Sequence, residues 1–241
     1  MGTGRIYRPE QTSVLDLPEI GRLHIGKKEI GRNGKEYPTS VDYFIPSGKY
    51  AGMFTNALGE KPNTIQIIFP SDDAEKVCNE RYEYRDDKGA LVARGDGRRF
   101  EVWTGQKYDV FETDEYPDIM DQIAANNPVK RAENWDITLT LRFIVPAVRG
   151  VVGVWQFSTK GKASSVKNIR DSFDAVRKMR GTVCQTVFDL SVAFAKSNKP
   201  GVNSRYPVVS LIANDTRIEE IRKAIAPKEN ISLLLNEKKN G

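Results

Sequence analysis

The chain has very few histidines and cysteines, the residues on which zinc sites and hydrolytic triads depend. Its 241 residues include one histidine, His24, and two cysteines, Cys78 and Cys184. These scattered positions cannot complete a zinc tetrahedron. A Ser/His/Asp or Cys/His triad would have to use the one imidazole, and the chain has no Gly-x-Ser-x-Gly elbow, phosphate loop or dinucleotide fingerprint. We therefore predict a protein that is not an enzyme, with no catalytic residues, no metal and no cofactor.

Local patterns around these residues favour structural roles. Arg22-Leu23-His24-Ile25 alternates like a strand, which favours a strand histidine over a catalytic base. The two cysteines are compatible with one disulfide, but in a reducing compartment we expect two unpaired, buried thiols.

Long apolar runs are also lacking. No segment approaches the roughly 18–20 apolar residues that cross a bilayer. Met1–Leu17 mixes Arg, Glu and Asp and has no apolar stretch that ends at a cleavage site. We therefore expect neither membrane association nor secretion, and place the protein in the cytoplasm.

The composition is that of a folded protein, with 39% hydrophobic and 29% charged residues. Residues 20–109 contain strand patterns separated by turn signals such as Asn33-Gly34 and Gly95-Asp96-Gly97. Pro46 is expected to end one strand, and Ser71 to cap a short acidic helix. The predicted strands of this half are Arg22–Lys28, Val41–Ile45, Thr64–Phe69, Arg81–Tyr84, Ala90–Arg94 and Arg99–Trp103.

The second half combines strands with the clearest helix pattern in the chain. Ser164–Arg180 carries apolar residues at helical spacing, and Gly181 follows where a helix would stop. Thr216-x-x-Glu219 is a capping box that opens a shorter helix through Ala226. The predicted buried stripe of the long helix is Val166, Ile169, Phe173, Val176 and Met179 or Arg180. The predicted strands are Trp135–Val145, Val151–Phe157, Val187–Ala195 and Pro207–Ala213, with Trp155 and Phe157 packed in the core rather than stacked on bases.

These patterns predict an α+β fold class: two β-rich halves, with a long amphipathic helix in the second half and a shorter C-terminal helix. A soft boundary is expected near residue 130, after an acidic stretch and the break Asn126-Asn127-Pro128. The predicted organisation is an N-terminal arm (1–19), a β-rich N-terminal subdomain (20–109), an acidic connector (110–131), an α+β C-terminal subdomain (132–227) and a C-terminal tail (228–241).

Positive charge is concentrated in one segment. The chain carries a formal net charge of +5, and Arg149–Arg180 alone has eight cations against Asp171 and Asp174, or +6. A basic helix face there would attract polyanions or an acidic partner, although the same pattern fits an ordinary solvated helix face. The residues predicted for a partner or DNA face are Lys160, Lys162, Lys167, Arg170, Arg177, Lys178 and Arg180.

Negative charge is concentrated in the connector, which has no Lys or Arg between Val110 and Val129. Two interpretations are open: a solvated linker, or an interface for a basic partner. The residues of the candidate acidic interface are Asp114, Glu115, Asp118 and Asp121.

A series of short motifs runs in order from about residue 20 to 213. Its members are GRLHIG at 21–26, NGKEYP at 33–38, VDYF at 41–44, GEKP at 59–62, IIFPSDD at 67–73, RGDG at 94–97, LRFIVP at 141–146, GVWQFST at 153–159 and SVKNI at 165–169. In this series the chain resembles the recombination directionality factor family of phages that encode large serine integrases, in its actinophage-type branch.

The resemblance implies a control protein that acts in the cytoplasm of a bacterial host cell. Members of the family bind the integrase on its attachment-site DNA and switch it from integration to excision, without a small-molecule substrate. The chain departs from the family in one respect. Many relatives carry cysteines just before the stretch that matches Leu141–Pro146, whereas Asp121–Asp136 here contains neither Cys nor His. A structural metal is therefore not carried over.

Three functions follow as hypotheses. The first is a directionality factor that binds a large serine integrase and favours excision. The second is a phage nucleic-acid-binding accessory protein for single-stranded or duplex DNA, suggested by the +6 segment. The third is a metal-free enzyme, which would require a deep pocket with clustered carboxylates of shifted pKa.

Overall fold

The computed structural model describes residues 17–31, 33–130, 135–184, 186–196 and 204–214. The strands in these ranges are β1 (Glu19–Ile30), β2 (Glu36–Ser47), β3 (Thr64–Ile68), β4 (Cys78–Arg85), β5 (Leu91–Gly95), β6 (Arg99–Trp103), β7 (Tyr108–Glu112), β8 (Trp135–Phe143), β9 (Val154–Thr159), β10 (Val187–Lys196) and β11 (Arg205–Ala213). The α-helices are α1 (Ala51–Leu58), α2 (Ala74–Val77), α3 (Ile119–Asn126) and α4 (Lys167–Arg180). A π-helical turn at Lys162–Val166 leads directly into α4.

The strands form two sheets. The larger has eight strands in the order β2-β1-β9-β8-β4-β5-β6-β7, and the smaller has three in the order β11-β10-β3. Neighbours in both sheets are antiparallel except β1 and β9, which are parallel. Ile68, the last residue of β3, and Ile144, which follows β8, exchange two backbone hydrogen bonds of 3.0 and 2.9 Å, which join the two sheets at one corner.

The large sheet has one covered and one open face. On β8, Leu139, Leu141 and Phe143 are fully buried and point to the covered side, where the small sheet, α1 and α4 pack. Thr140 and Arg142 alternate with them and face the opposite side. The predicted strand of alternating residues at Trp135–Val145 is therefore confirmed, with its end at Phe143.

Aromatic side chains fill the space between the sheets. Phe69 lies 5.1 Å, ring to ring, from both Phe173 on α4 and Phe188 on β10, so it connects three elements. Trp155 and Phe157 on β9 are 0% and 1% exposed, which confirms their predicted place in the core. A smaller apolar cluster lies on the same covered side, where α3 packs on β4, β5 and β6; its buried members are Tyr84, Ala93, Phe100, Ile119 and Ile123.

Three local predictions need correction. β2 does not end before Pro46 but continues through it to Ser47, because β2 is an edge strand on which a missing N–H breaks no ladder. The residue that caps α2 is Asp73, whose side chain accepts the Glu75 N–H, whereas Ser71 Oγ accepts the N–H of Asp73. The buried stripe of α4 ends at Val176, since Met179 is 84% exposed.

Strands from both predicted subdomains share the large sheet. The predicted acidic connector contains the last residues of β7 and the short helix α3. The division of the chain into subdomains stays a prediction. The predicted helix from Thr216 to Ala226, the C-terminal tail and residues 1–16 lie outside the described residues.

Asp72 joins two segments that are far apart in the chain. Its carboxylate accepts hydrogen bonds from the Thr182 hydroxyl at 2.9 Å and from the backbone N–H groups of Val183 and Cys184 at 2.6 and 3.1 Å. Burial raises the pKa of Asp72, but these donors favour the charged form and leave the pKa below its usual value. The bonds fix the loop after β3 against the loop that follows α4.

We expect Asp72→Asn to lower the free energy of unfolding at pH 7 by about 2 kcal/mol, since charge-assisted hydrogen bonds are lost. Because the pKa is lowered in the folded state, this contribution is present above the unfolded-state pKa of about 3.9 and disappears as the pH falls through the folded-state pKa. Urea unfolding at several pH values measures the difference. Asp42→Asn, at an exposed position on β2, is the control. An equal loss in both variants would contradict the role of Asp72.

Candidate interaction surfaces

Helix α4 presents the predicted basic residues. Ile169, Phe173 and Val176 are buried against the core, so the remaining side of the helix faces solvent. The helix ends at Gly181, which has a φ of 74° and closes it through its N–H to the Arg177 carbonyl. The prediction of a long amphipathic helix stopped by Gly181 is confirmed.

The amino-terminal part of the predicted basic set is neutralised by carboxylates. Lys160 lies 3.0 Å from Asp136 and 3.7 Å from Glu83, on the large sheet rather than on α4. Lys167 pairs with Asp171 one turn along the helix, which lowers the pKa of that carboxyl through the hydrogen bond. Arg170 lies 3.4 Å from Glu80 on β4. These three cations are committed to neighbours, and the Lys162 side chain is not among the described ones.

The carboxyl-terminal part is different. We call Arg177, Lys178, Met179 and Arg180 the α4 basic turn. Arg177 and Lys178 are exposed and pair with no other described residue, while Arg180 donates to the Thr186 hydroxyl at 3.4 Å. Met179, the most exposed large apolar side chain in the described ranges, lies between the cations. Cations at a helix carboxyl terminus interact favourably with the helix dipole. The turn therefore combines unpaired positive charge with an exposed apolar side chain.

The predicted acidic residues lie around the start of α3. Asp114, Glu115, Asp118 and Asp121 are all exposed, and no described cation pairs with them. Asp118 directly precedes the helix and Asp121 lies in its first turn, where the dipole favours negative charge. This placement gives the two aspartates a local structural role, and it leaves all four carboxylates available to solvent.

Sequence reasoning missed the open face of the large sheet, which we define by the polar side chains of β1, β9, β8, β4, β5 and β6 that point away from the core. Three clefts of about 300, 410 and 310 Å³ lie along it. His24 is exposed there and its Nε2 lies 2.8 Å from Ser47 Oγ, as a strand histidine rather than a buried base. The signal lies in the alternation of β8, where Thr138, Thr140 and Arg142 alternate with the apolar residues. The residues that define the face are Arg22, His24, Asn79, Arg81, Glu83, Arg94, Glu101, Thr138, Thr140, Arg142, Gln156 and Ser158.

Reactive chemistry is sparse in the described part of the chain. It contains no group of three or more His, Cys, Asp or Glu side chains that could hold a metal ion, and no helix there is long and apolar enough to span a membrane. Both cysteines are unpaired, as predicted, although Cys184 is only half-buried. Burial, aided by nearby Asp174 and Glu80, raises the pKa of Cys78 to about 12. Burial and the neighbouring Asp72 raise the pKa of Cys184 to about 11.

We expect both thiols to react slowly with a disulfide reagent at pH 8 in the folded protein, because only the thiolate is the nucleophile. The raised pKa of Cys78 leaves roughly one thiol in ten thousand ionised at that pH. Cys184 should react before Cys78 in the folded protein, and both thiols should react rapidly in denaturant. Cys78→Ser and Cys184→Ser assign the two phases. Fast reaction of Cys78 in the native protein would contradict its burial.

A family model described as Gp3-like, recombination directionality factor-like, matches residues 20–214. This range spans β1 to β11 and therefore includes both sheets, α4 and the acidic residues. No curated protein and no solved structure matches the chain.

Proposed function

We propose a function from one premise: the chain belongs to the Gp3-like, recombination directionality factor-like family. The proposed function is that of a non-catalytic phage factor that binds a large serine integrase on attachment-site DNA and favours excision over integration. The match over residues 20–214 carries this proposal, since it extends over all the strands described. The sparse reactive chemistry is compatible with it.

Such a factor acts through a difference in affinity. A protein that binds two integrase–DNA arrangements equally changes nothing, and reversing a two-state preference from 1:99 to 99:1 takes about 5.5 kcal/mol of differential binding. An interface of that strength needs a few buried anchors, with charge providing orientation and encounter rate. The factor therefore needs surface complementarity and no reactive group of its own.

We place the docking surface on the α4 basic turn. Arg177 and Lys178 form no ion pair with any described residue, so binding a partner there breaks no bond within those ranges. Met179, which is 84% exposed, offers an apolar side chain that would be desolvated on binding. The acidic residues around α3 are a second candidate contact for basic segments of the same partner.

The direct test is recombination between the two hybrid attachment sites by the cognate integrase, with and without this protein. Excision product should accumulate only in its presence, and integration between the two original sites should decrease. An unchanged ratio of the two products at saturating protein would reject the function.

The docking surface has its own test. In the variant with Arg177→Gln, Lys178→Gln, Met179→Ser and Arg180→Gln, we expect the concentration for half-maximal excision to rise about tenfold or more, since contacts worth at least about 1.4 kcal/mol are lost. Lys35→Gln with Lys49→Gln and Lys88→Gln removes the same charge from exposed positions elsewhere. Thermal unfolding of both variants checks the fold. Equal activity of the two variants would move the docking surface away from α4.

A second candidate function is a nucleic-acid-binding accessory protein, favoured by the unpaired cations of the α4 basic turn. A gel shift with duplex attachment-site DNA, without integrase and at several salt concentrations, separates the two functions. Tight binding that weakens steeply with salt favours the accessory protein. Recombination control without DNA binding by the protein alone favours the directionality factor.

A further inference from the structure

The middle cleft of the open face contains a buried donor with no partner. Thr138 on β8 is 7% exposed, and its hydroxyl makes no hydrogen bond with any described residue. It lines the cleft of about 410 Å³ and lies directly opposite Arg81 of β4 in the antiparallel register. A buried hydroxyl without a partner is unfavourable, and a ligand in the cleft that accepts a hydrogen bond would satisfy it.

Two arginines of the same cleft are also uncommitted. Arg142 on β8 is half-buried and forms no ion pair or side-chain hydrogen bond within the described ranges. Gln156, its cross-strand neighbour on β9, is equally without a partner there. Arg81 uses only Nε, which donates to Asn79 at 2.9 Å, and its other N–H groups make no hydrogen bond to any described residue. Free donors therefore lie at both ends of the cleft.

Neighbouring cations on the sheet behave differently. Arg94 lies 2.6 Å from Glu101, and Arg85 lies 3.0 Å from Glu83. Glu83, which also lines the cleft, is thereby neutralised by Arg85 and by Lys160. Glu75 at the rim is adjacent to Lys76, so it adds little net negative charge. The excess in this cleft is the positive charge of Arg81 and Arg142.

This donor set fits phosphate groups. It comprises two guanidinium groups, a hydroxyl and an amide, more donors than the two oxygens of one carboxylate can accept. Thr138 and Arg142 are four residues apart on one strand, or about 13 Å, which exceeds the size of a single phosphate ion. The arrangement therefore suits successive phosphates of a chain. All the side chains that line the cleft are polar or charged.

An exposed aromatic pair lies on the same face of the sheet. Trp103 and Tyr108, on β6 and β7, are 44% and 39% exposed, and their rings are 5.2 Å apart. Arg94, which lines the cleft, lies 5.9 Å from the Tyr108 ring and connects the two features. Aromatic side chains stack on unpaired bases, whereas the bases of a duplex are already stacked on each other.

We propose that the cleft formed by Arg81, Thr138, Arg142 and Gln156 binds the phosphates of a single-stranded nucleic acid whose bases stack on Trp103 and Tyr108. This site is separate from the α4 basic turn, and its test contains no integrase. If the protein does not bind the single strand, the proposed directionality function is unaffected. If the protein does not change the direction of recombination, the proposed nucleic-acid site is unaffected.

The test is the fluorescence anisotropy of a labelled single-stranded oligothymidylate of about 12 nucleotides, titrated with the full chain at several salt concentrations. Arg142→Gln and Arg81→Gln should each weaken binding about tenfold, and each should reduce the slope of log K against log salt by about 0.7. The matched control is Arg149→Gln, at an exposed position after β8. No binding at about 50 mM salt, or equal weakening by the control, overturns the proposal.

Thr138→Val separates binding from folding. Valine keeps the shape of threonine and removes only the hydroxyl, so binding should weaken about threefold to tenfold. The melting temperature should stay the same or rise, because an unpaired buried polar group is removed. A lower melting temperature with unchanged oligonucleotide binding would show a structural role and contradict the proposed site.

Competitors identify the ligand class. Trp103→Ala should weaken binding to the single strand and leave the weaker duplex binding unchanged. Unlabelled duplex of the same length, inorganic phosphate and polyglutamate should each compete at least tenfold less well than the unlabelled single strand. Equal competition by the duplex would contradict the preference for a single strand. Equal competition by inorganic phosphate would contradict binding of a chain of phosphates, and equal competition by polyglutamate would contradict binding of a nucleic acid.

Discussion

Burial of one face of the large sheet is the constraint on which the other features of the molecule depend. On β8, Leu139, Leu141 and Phe143 are fully buried, and their period of two leaves Thr140 and Arg142 on the opposite side. A shift of register by one residue would exchange the two sets. The same contacts that assemble the core therefore determine which polar side chains line the open face.

The covered side also positions the helix that carries the basic turn. Phe69 packs against Phe173 of α4, so the helix axis is fixed by the aromatic core. Beyond Gly181, Asp72 binds the backbone of the next residues through its carboxylate, which fixes the chain where it leaves the helix. Arg177 and Lys178 thus project from a helix end that is held on both sides. A rigid presentation lowers the ordering cost of binding a partner.

Most strands of this fold and its long helix were predictable because the periodicity of apolar residues and the turn residues within each segment determine them. The alternation in β8, the spacing in α4 and the glycine after it were sufficient for those elements. The parallel pairing of β1 with β9 and the bonds of Asp72 to residues 110 or more positions away depend on long-range packing, which no short pattern records. The sequence placed Pro46 at a strand end because a proline disrupts a central strand, and only the sheet order reveals that β2 is an edge.

The candidate surfaces show why counting charges along a chain is a weak guide to function. The +6 segment predicted a candidate basic face, yet Lys160, Lys167 and Arg170 are each paired with a carboxylate in the folded protein. An exposed pair of this kind contributes little to stability, but a partner that used one of these cations would have to break the pair first. What remains for recognition is the unpaired charge at the end of α4 and, on the open face, the two arginines that no local pattern set apart. Folding pairs some of the charged side chains with each other, and the candidate interaction surfaces are formed by the charged side chains that remain unpaired among the described residues.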